Sequence, residues 1–175
     1  MADAKEAPTR AQALRILQEG RRSVNGLIDQ LSRRALTMPG LGGGDWSPKD
    51  LIGHLAAWED RAVQAMRAWE AGHGPSFERE LWSKATSVIN RESVERNARL
   101  SMPEIRRRAE ATHEELVRRM GAMSDHRWRR PGTPRGRKAV GERLGGILGG
   151  PGGPFRHAEA HLKDLRAFVD VHRRG

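Results

Sequence analysis

The chain has 175 residues, of which 37% are hydrophobic, and its 32 basic and 22 acidic residues give it a net charge of +10. This length suits one buried core, so we expect residues 1–175 to form a single domain. The chain contains no cysteine, which excludes disulfides, thiolate metal ligands and thiol nucleophiles, and leaves histidine and carboxylate as the strong metal ligands.

The first predicted element is a long helix, because apolar residues recur at helical spacing from Thr9 to Ala35. It should end at residues 37–44, where one proline and four glycines are typical of a connecting loop. The polar stretch before Thr9 lacks the apolar segment of a secretory signal, and no later stretch has the length of a membrane span. We therefore expect a cytoplasmic protein.

A second helix is predicted from Ser47 to about Ala71. Ser47 supplies an N-cap hydroxyl, Pro48 suits the first helical position, and Asp50 supplies a carboxylate at the positive end of the helix dipole. Residues 77–100 carry a weaker pattern that suits a short helix or a loop packed over the rest of the fold. We therefore expect a long excursion between the second and third helices.

A third helix is predicted from the capping motif Ser101 to Glu104 and should end near Gly121. Residues 124–153 then contain nine glycines and three prolines and are expected to form a long loop. This stretch has seven basic residues against two acidic ones, so it carries half of the net charge of the chain.

The last predicted helix begins at Pro154, and in it Leu165 and Phe168 share one apolar face with His161. Four amphipathic helices and no credible strand predict an all-α protein. The expected architecture is a four-helix bundle with the long excursion between helices two and three, and with a glycine- and arginine-rich loop before helix four.

Three of the seven histidines are placed where such a bundle could bring them together. His157 and His161 are four residues apart on the last predicted helix, so their imidazoles project to one side and can reach one metal ion. His54 lies in the first turns of the second helix, at the edge of its buried arc. These three residues are our candidate metal ligands, although pairs with this spacing also occur by chance on ordinary helices.

The segment from Asp45 to Glu59, DWSPKDLIGHLAAWE, resembles the second-helix signature of the DinB-like (YfiT-type) four-helix bundles. The segment from His157 to Phe168 resembles the last helix of that family, in which a His-x3-His pair joins the first histidine to bind a divalent ion such as zinc or nickel. The resemblance implies that His54, His157 and His161 bind the metal. Residues 124–153 have no counterpart in it.

The same pattern is similar to the subgroup that contains the colibactin self-protection protein, whose members bind or hydrolyse a reactive natural product without an obvious metal requirement. Other members of the family are thiol-dependent enzymes, in which the metal activates a small thiol that arrives as cosubstrate. The resemblance therefore implies either a metal-dependent transferase or hydrolase that acts on a small electrophile, or a metal-free binding protein that confers antibiotic resistance on its producer.

For the metal-free alternative, we expect Trp46, Trp58 and Trp82 to line a cavity for a small molecule, since tryptophan offers a large flat contact area. Packing in the core is the more frequent role for a residue at the helical position of Trp58. The high net charge also raises the question of nucleic acids, but no known reader motif is present. We therefore expect a small-molecule partner, a homodimer, no specific nucleic acid and no membrane.

Overall fold

The computed structural model describes residues 7–173, which fold into helices and irregular segments without a strand. The predicted polar N-terminus lies largely outside these residues. No helix in the described part of the chain is both long and apolar enough to cross a membrane. The α-helices of this part are α1 Arg10–Ile28, α2 Pro48–Glu70, α3 Glu78–Ser83, α4 Thr86–Asn97, α5 Met102–Ala122, α6 Asp125–Trp128, α7 Val140–Ile147, α8 His157–Ala160 and α9 Leu162–His172.

The predicted four-helix bundle is confirmed, with α1, α2, α5 and the consecutive pair α8 and α9 as its helices. The excursion between the second and third bundle helices is also confirmed, and it contains α3 and α4. Helix α4 packs against α2, where it buries Ile89 and Ser93. Two bonds from the Lys49 ammonium to backbone carbonyl groups, of Ala98 at 3.0 Å and of Leu100 at 2.8 Å, fasten the end of α4 to the start of α2.

Both predicted capping motifs form as expected. The Ser47 hydroxyl accepts a bond from the Asp50 amide, and the Asp50 carboxylate accepts one from the Ser47 amide at 2.9 Å. At the start of α5, the Glu104 carboxylate accepts a bond from the Ser101 amide at 2.7 Å. These interactions satisfy amide groups that have no partner inside the helix, and they fix where α2 and α5 begin.

The first helix is shorter than predicted, because α1 ends at Ile28 rather than near Ala35. The apolar pattern continues beyond the helix because two later residues are also buried. Leu31 lies in the connection that follows α1, and Ala35 begins the short 3-10 helix Ala35–Thr37. In this region the periodicity therefore reports burial, and it does not report a continuous helix.

The prediction of one long loop over residues 124–153 is wrong, since α6 and α7 both lie within it. Two glycines of α7 allow its backbone to approach aromatic rings. A Cβ atom on Gly141 would lie 2.3 Å from the indole of Trp128, and one on Gly145 would lie 3.0 Å from the ring of Phe155. Glycine in a sequence often indicates a loop, but in α7 it allows a helix to pack closely against aromatic rings.

The last helix is also not continuous as predicted, because α8 and α9 meet at His161. The His161 amide bonds to the Ala158 carbonyl, three residues back, and this tighter step separates the two helices. Helix α8 lies close to α1 at Gly20, where a Cβ atom would come within 3.1 Å of the Ala158 methyl group.

The core consists of two apolar clusters with a buried polar layer between them. The layer consists of Arg21 on α1, Glu59 on α2 and His113 on α5. Each of them lies on its helix between residues of one cluster and residues of the other. A Glu59 oxygen lies 2.5 Å from Nη2 of Arg21, and its other oxygen lies 3.0 Å from Nδ1 of His113. The polar layer joins three bundle helices through one carboxylate.

Candidate functional site

The fold brings together the three histidines that the sequence singled out. One ring nitrogen from each of His54, His157 and His161 lies within 4.8 Å of the other two. The Nε2 atoms of His54 and His157 are 2.9 Å apart, and the ring centres of His54 and His161 are 5.2 Å apart. Residues 103 positions apart in the chain therefore form one cluster.

Different elements position the three rings. His54 is on the second turn of α2, which is fixed by the capping motif at Ser47. His157 begins α8, and its amide donates to the Leu148 carbonyl at 3.0 Å, which ties the start of α8 to the end of α7. His161 follows at the junction of α8 and α9. Both histidines face α2, where their rings contact His54.

Burial keeps the three imidazoles neutral. His54 is 2% exposed, and its pKa is lowered to about 2, first by burial and further by the neighbouring His157 and His161. The pKa of His157 is lowered to about 4, again chiefly by burial, and that of His161 is lowered for the same reason. The neutral form of histidine is the form that binds a metal ion, so the ring nitrogens are available as donors.

The donor set fits a transition metal. Imidazole nitrogen suits zinc, nickel and related ions, whereas magnesium and calcium prefer oxygen. Two nitrogens bound to one ion at about 2.0–2.1 Å are themselves about 2.9 Å apart for a right angle at the metal and about 3.3 Å for a tetrahedral angle. The 2.9 Å between the Nε2 atoms of His54 and His157 agrees with this spacing and also with a hydrogen bond between neutral rings. Within residues 7–173, no group bonds to the buried Nδ1 of His54.

Two of the three tryptophans lie next to the cluster. The Trp46 ring centre is 4.9 Å from that of His54, and the Trp58 ring centre is 6.0 Å from that of His157. The Trp58 indole N–H donates to Asn90 on α4 at 3.0 Å, so the protein itself already uses this donor. The structure does not bring Trp82 to the cluster but leaves it on the surface, where 84% of its area is exposed.

A cavity of about 600 Å³ opens beside the histidines. Its walls come from the loop that ends at Trp46, from α4 and from the start of α9, and they include His161. The loop is closed by a bond from the Leu41 amide to the Trp46 carbonyl at 3.0 Å, and Gly42 adopts a φ of +64° inside it. Three carboxylates and one arginine line the cavity, namely those of Asp45, Glu95, Asp164 and Arg91.

The basic stretch that the sequence singled out contributes nothing to the lining of this cavity, which is acidic. Asp164 is close enough to His161 to oppose the lowering of its pKa by burial. It also contacts the loop, since a Cβ atom on Gly42 would lie 2.9 Å from an Asp164 oxygen. Asp164 is therefore the carboxylate that links the cavity with the histidine cluster.

Sequence reasoning missed two buried polar residues. It gave no role to His113, which is buried and bonds to Glu59 in the polar layer. It gave no role to Arg61, which is 6% exposed, lies 5.0 Å from the centre of the Trp58 ring and adds to the lowering of the His54 pKa. The position of Arg61 three residues after Trp58 and seven after His54 is the sequence signal that could have revealed it, because these spacings share one helix face.

Comparison with known proteins gives a family and two similar folds. The family model of the DinB superfamily matches residues 16–149. A crystal structure of an uncharacterised protein from Escherichia coli UTI89 aligns with a TM-score of 0.76 and 13% identity, over 96% of this chain and 97% of that chain. A crystal structure of the colibactin self-resistance protein ClbS in complex with a dsDNA aligns with a TM-score of 0.71 and 14% identity, over 94% of this chain and 96% of that chain. No curated protein sequence matches the chain.

These comparisons correct one expectation about partners. We expected no specific nucleic acid because the sequence has no reader motif, but ClbS, a protein of the same fold, is bound to dsDNA. The expectation failed because contacts to phosphate groups need basic side chains at suitable positions and do not need a recognisable motif.

Proposed function

This chain belongs to the DinB superfamily, and we propose that it is a metal-dependent enzyme in which His54, His157 and His161 hold one divalent ion next to the substrate. The convergence of three neutral imidazoles from two distant segments carries this proposal. Zinc and nickel are the metals that suit the donor set. A bound ion would supply Lewis acidity, which polarises an electrophile and lowers the pKa of a water or thiol nucleophile.

The residues around the cluster have separate roles in this proposal. The Trp46 ring forms a flat wall against which an apolar or aromatic part of the substrate packs. The Asp164 carboxylate accepts the proton that the nucleophile loses, since it lines the cavity together with His161. Trp58 packs beside the cluster against His157, and Arg61 lies over the Trp58 ring.

The lining of the cavity restricts the substrate. Its three carboxylates and one arginine favour a neutral or cationic molecule over an anionic one. Because the chain has no cysteine, a thiol nucleophile has to arrive as a cosubstrate. We therefore propose thiol transfer to, or hydrolysis of, a small neutral or cationic electrophile.

The first test is the metal content of protein purified without a histidine tag. We expect about one zinc or nickel ion per chain, and loss of that ion in His161→Ala. His126→Ala is the matched control, because His126 is exposed and does not belong to the cluster. Failure to bind any added divalent ion, or equal metal content in His161→Ala and the unaltered protein, would refute the metal site.

The second test separates an enzyme from a binding protein. With a chromogenic aryl halide and a small thiol, the metal-loaded protein should turn over, whereas Asp164→Asn should keep the metal and lose most of the activity. Saturable quenching of Trp46 fluorescence by the electrophile without turnover, in protein that binds no metal, would instead favour the metal-free alternative. That alternative is a protein that sequesters a reactive molecule, as the description of ClbS as a self-resistance protein suggests.

A second candidate function is binding of duplex DNA. The segment from Arg129 to Lys138 exposes Arg129, Arg130, Arg135 and Arg137, and no ion pair involves these four within residues 7–173. The ClbS complex with dsDNA favours such a role for a basic surface on this fold. Affinity for a short duplex should fall steeply with salt and should drop in a variant with Gln at these four arginines. Unchanged affinity in that variant would exclude this surface.

A further inference from the structure

A second groove of about 280 Å³ lies between α2, α4 and α5, and apart from Arg61 none of its lining residues has a role in the proposed reaction. Its floor is formed by small residues of α2 that include Gly53 and Ala57. The Asn97 side chain packs against α2 there, since a Cβ atom on Gly53 would lie 3.0 Å from Nδ2 of Asn97. The absence of a side chain at Gly53 thus allows polar groups of α4 to approach the α2 backbone.

Three arginines from three helices line this groove, namely Arg61 on α2, Arg96 on α4 and Arg108 on α5. Asp60 is the one carboxylate among the lining residues, and it accepts a hydrogen bond from the side-chain amide of Gln64 at 2.5 Å. Among the described residues, no ion pair involves Arg96 or Arg108. The lining therefore has an excess of two positive charges.

Arg61 is more than nine-tenths buried, so the groove has a fixed positive charge in its lining. Its Nη2 lies 3.3 Å from a Glu80 oxygen, but its buried Nε has no hydrogen-bond partner in the described part of the chain. The Arg61 guanidinium is therefore a buried positive charge beside the groove, and it adds to the attraction of an oxyanion bound there. The buried Ser93 and the Asn97 amide add uncharged polar groups to the same lining.

From these contacts, we propose that the groove between α2, α4 and α5 binds the oxyanion group of a small molecule, a phosphate, sulfate or carboxylate. Two exposed arginines at the rim approach the anion from α4 and α5, while Arg61 contributes charge from the floor. Guanidinium groups suit this task because they form paired, charge-assisted hydrogen bonds to such oxygens. The groove has the volume of a small ligand, and we assign it a small molecule; binding of duplex DNA without binding of phosphate is the contrary outcome of the test below. The proposal does not depend on the metal site.

The test is a calorimetric titration of the full-length protein with inorganic phosphate at constant ionic strength. We expect saturable binding of one phosphate, weakened about tenfold in Arg96→Gln and in Arg108→Gln, because each loses a charge-assisted hydrogen bond. Both arginines are exposed, so these variants should fold. Arg107→Gln is the matched control, since Arg107 is the exposed neighbour of Arg108 on α5 and does not line the groove.

Several outcomes would overturn the proposal. One is the absence of phosphate binding up to millimolar concentrations. Another is an equal loss of affinity in Arg107→Gln and Arg108→Gln, which would indicate a general attraction to the basic surface. A third is that duplex DNA binds while phosphate does not. Displacement of bound phosphate by sulfate or acetate would support an oxyanion site.

Discussion

Removal of the charge of Glu59 tests the buried polar layer. In Glu59→Gln, the side chain keeps its shape and one acceptor oxygen, but Arg21 is left as a buried cation without a counter-charge. Arg21 is 6% exposed, and its remaining bond is to the Ala109 carbonyl at 3.2 Å. Breaking one partner of a buried ion pair costs about 3–5 kcal/mol, and the acceptor that remains places the expected loss near the lower end of this range.

The loss can be measured by equilibrium unfolding in urea. A decrease of about 3 kcal/mol in the free energy of unfolding lowers the midpoint by about 1.5 M when the slope is about 2 kcal/mol per molar urea. Asp29→Asn is the control, because the Asp29 carboxylate pairs with Arg106 at 3.0 Å on the exposed surface of the same bundle. For such an exposed pair we expect a change of less than about 1 kcal/mol.

A double variant makes the test stricter. If Arg21 and Glu59 compensate each other, Arg21→Met combined with Glu59→Gln should cost at least about 1 kcal/mol less than the sum of the two single variants. The reasoning would be refuted by additive effects, or by a midpoint in Glu59→Gln no lower than in Asp29→Asn.

Three further tests address other parts of the structure. Gly141→Ala should destabilise the fold by about 1–3 kcal/mol in thermal unfolding, since the new methyl group would overlap the Trp128 ring, whereas Gly146→Ala on the same helix has open space and should not destabilise. Ser47→Ala should cost about 1 kcal/mol through loss of the α2 cap, and an unchanged melting temperature would contradict that role. Removal of the metal by a chelator should lower the melting temperature. Zinc added at about 100 times its Kd should then restore about 2.7 kcal/mol of the free energy of unfolding, but it should not do so in His157→Ala. Equal stabilisation of that variant by zinc would count against the ligand assignment.

Local features of the sequence determined where α2 and α5 begin and part of the site. The capping motifs at Ser47 and Ser101 act between residues three positions apart, so they form as soon as the helix does and can be identified from the sequence. The spacing of His157 and His161 likewise limits how far apart their rings can lie. The helical periods and the matching segments were sufficient to predict the bundle and its family.

Only the tertiary structure decided which groups meet. The burial of His113 beside Glu59 and the exposure of Trp82 depend on contacts between segments that are distant in the chain, and such contacts leave no local pattern. The 2.9 Å approach of His54 to His157 likewise depends on the tertiary structure, although the sequence had already singled out both residues. The helix α7 forms within a glycine-rich stretch because packing against aromatic rings outweighs the low helix propensity of glycine. Propensity acts over a few neighbouring residues, whereas burial is set by the whole fold, and where the two disagreed in this protein burial prevailed.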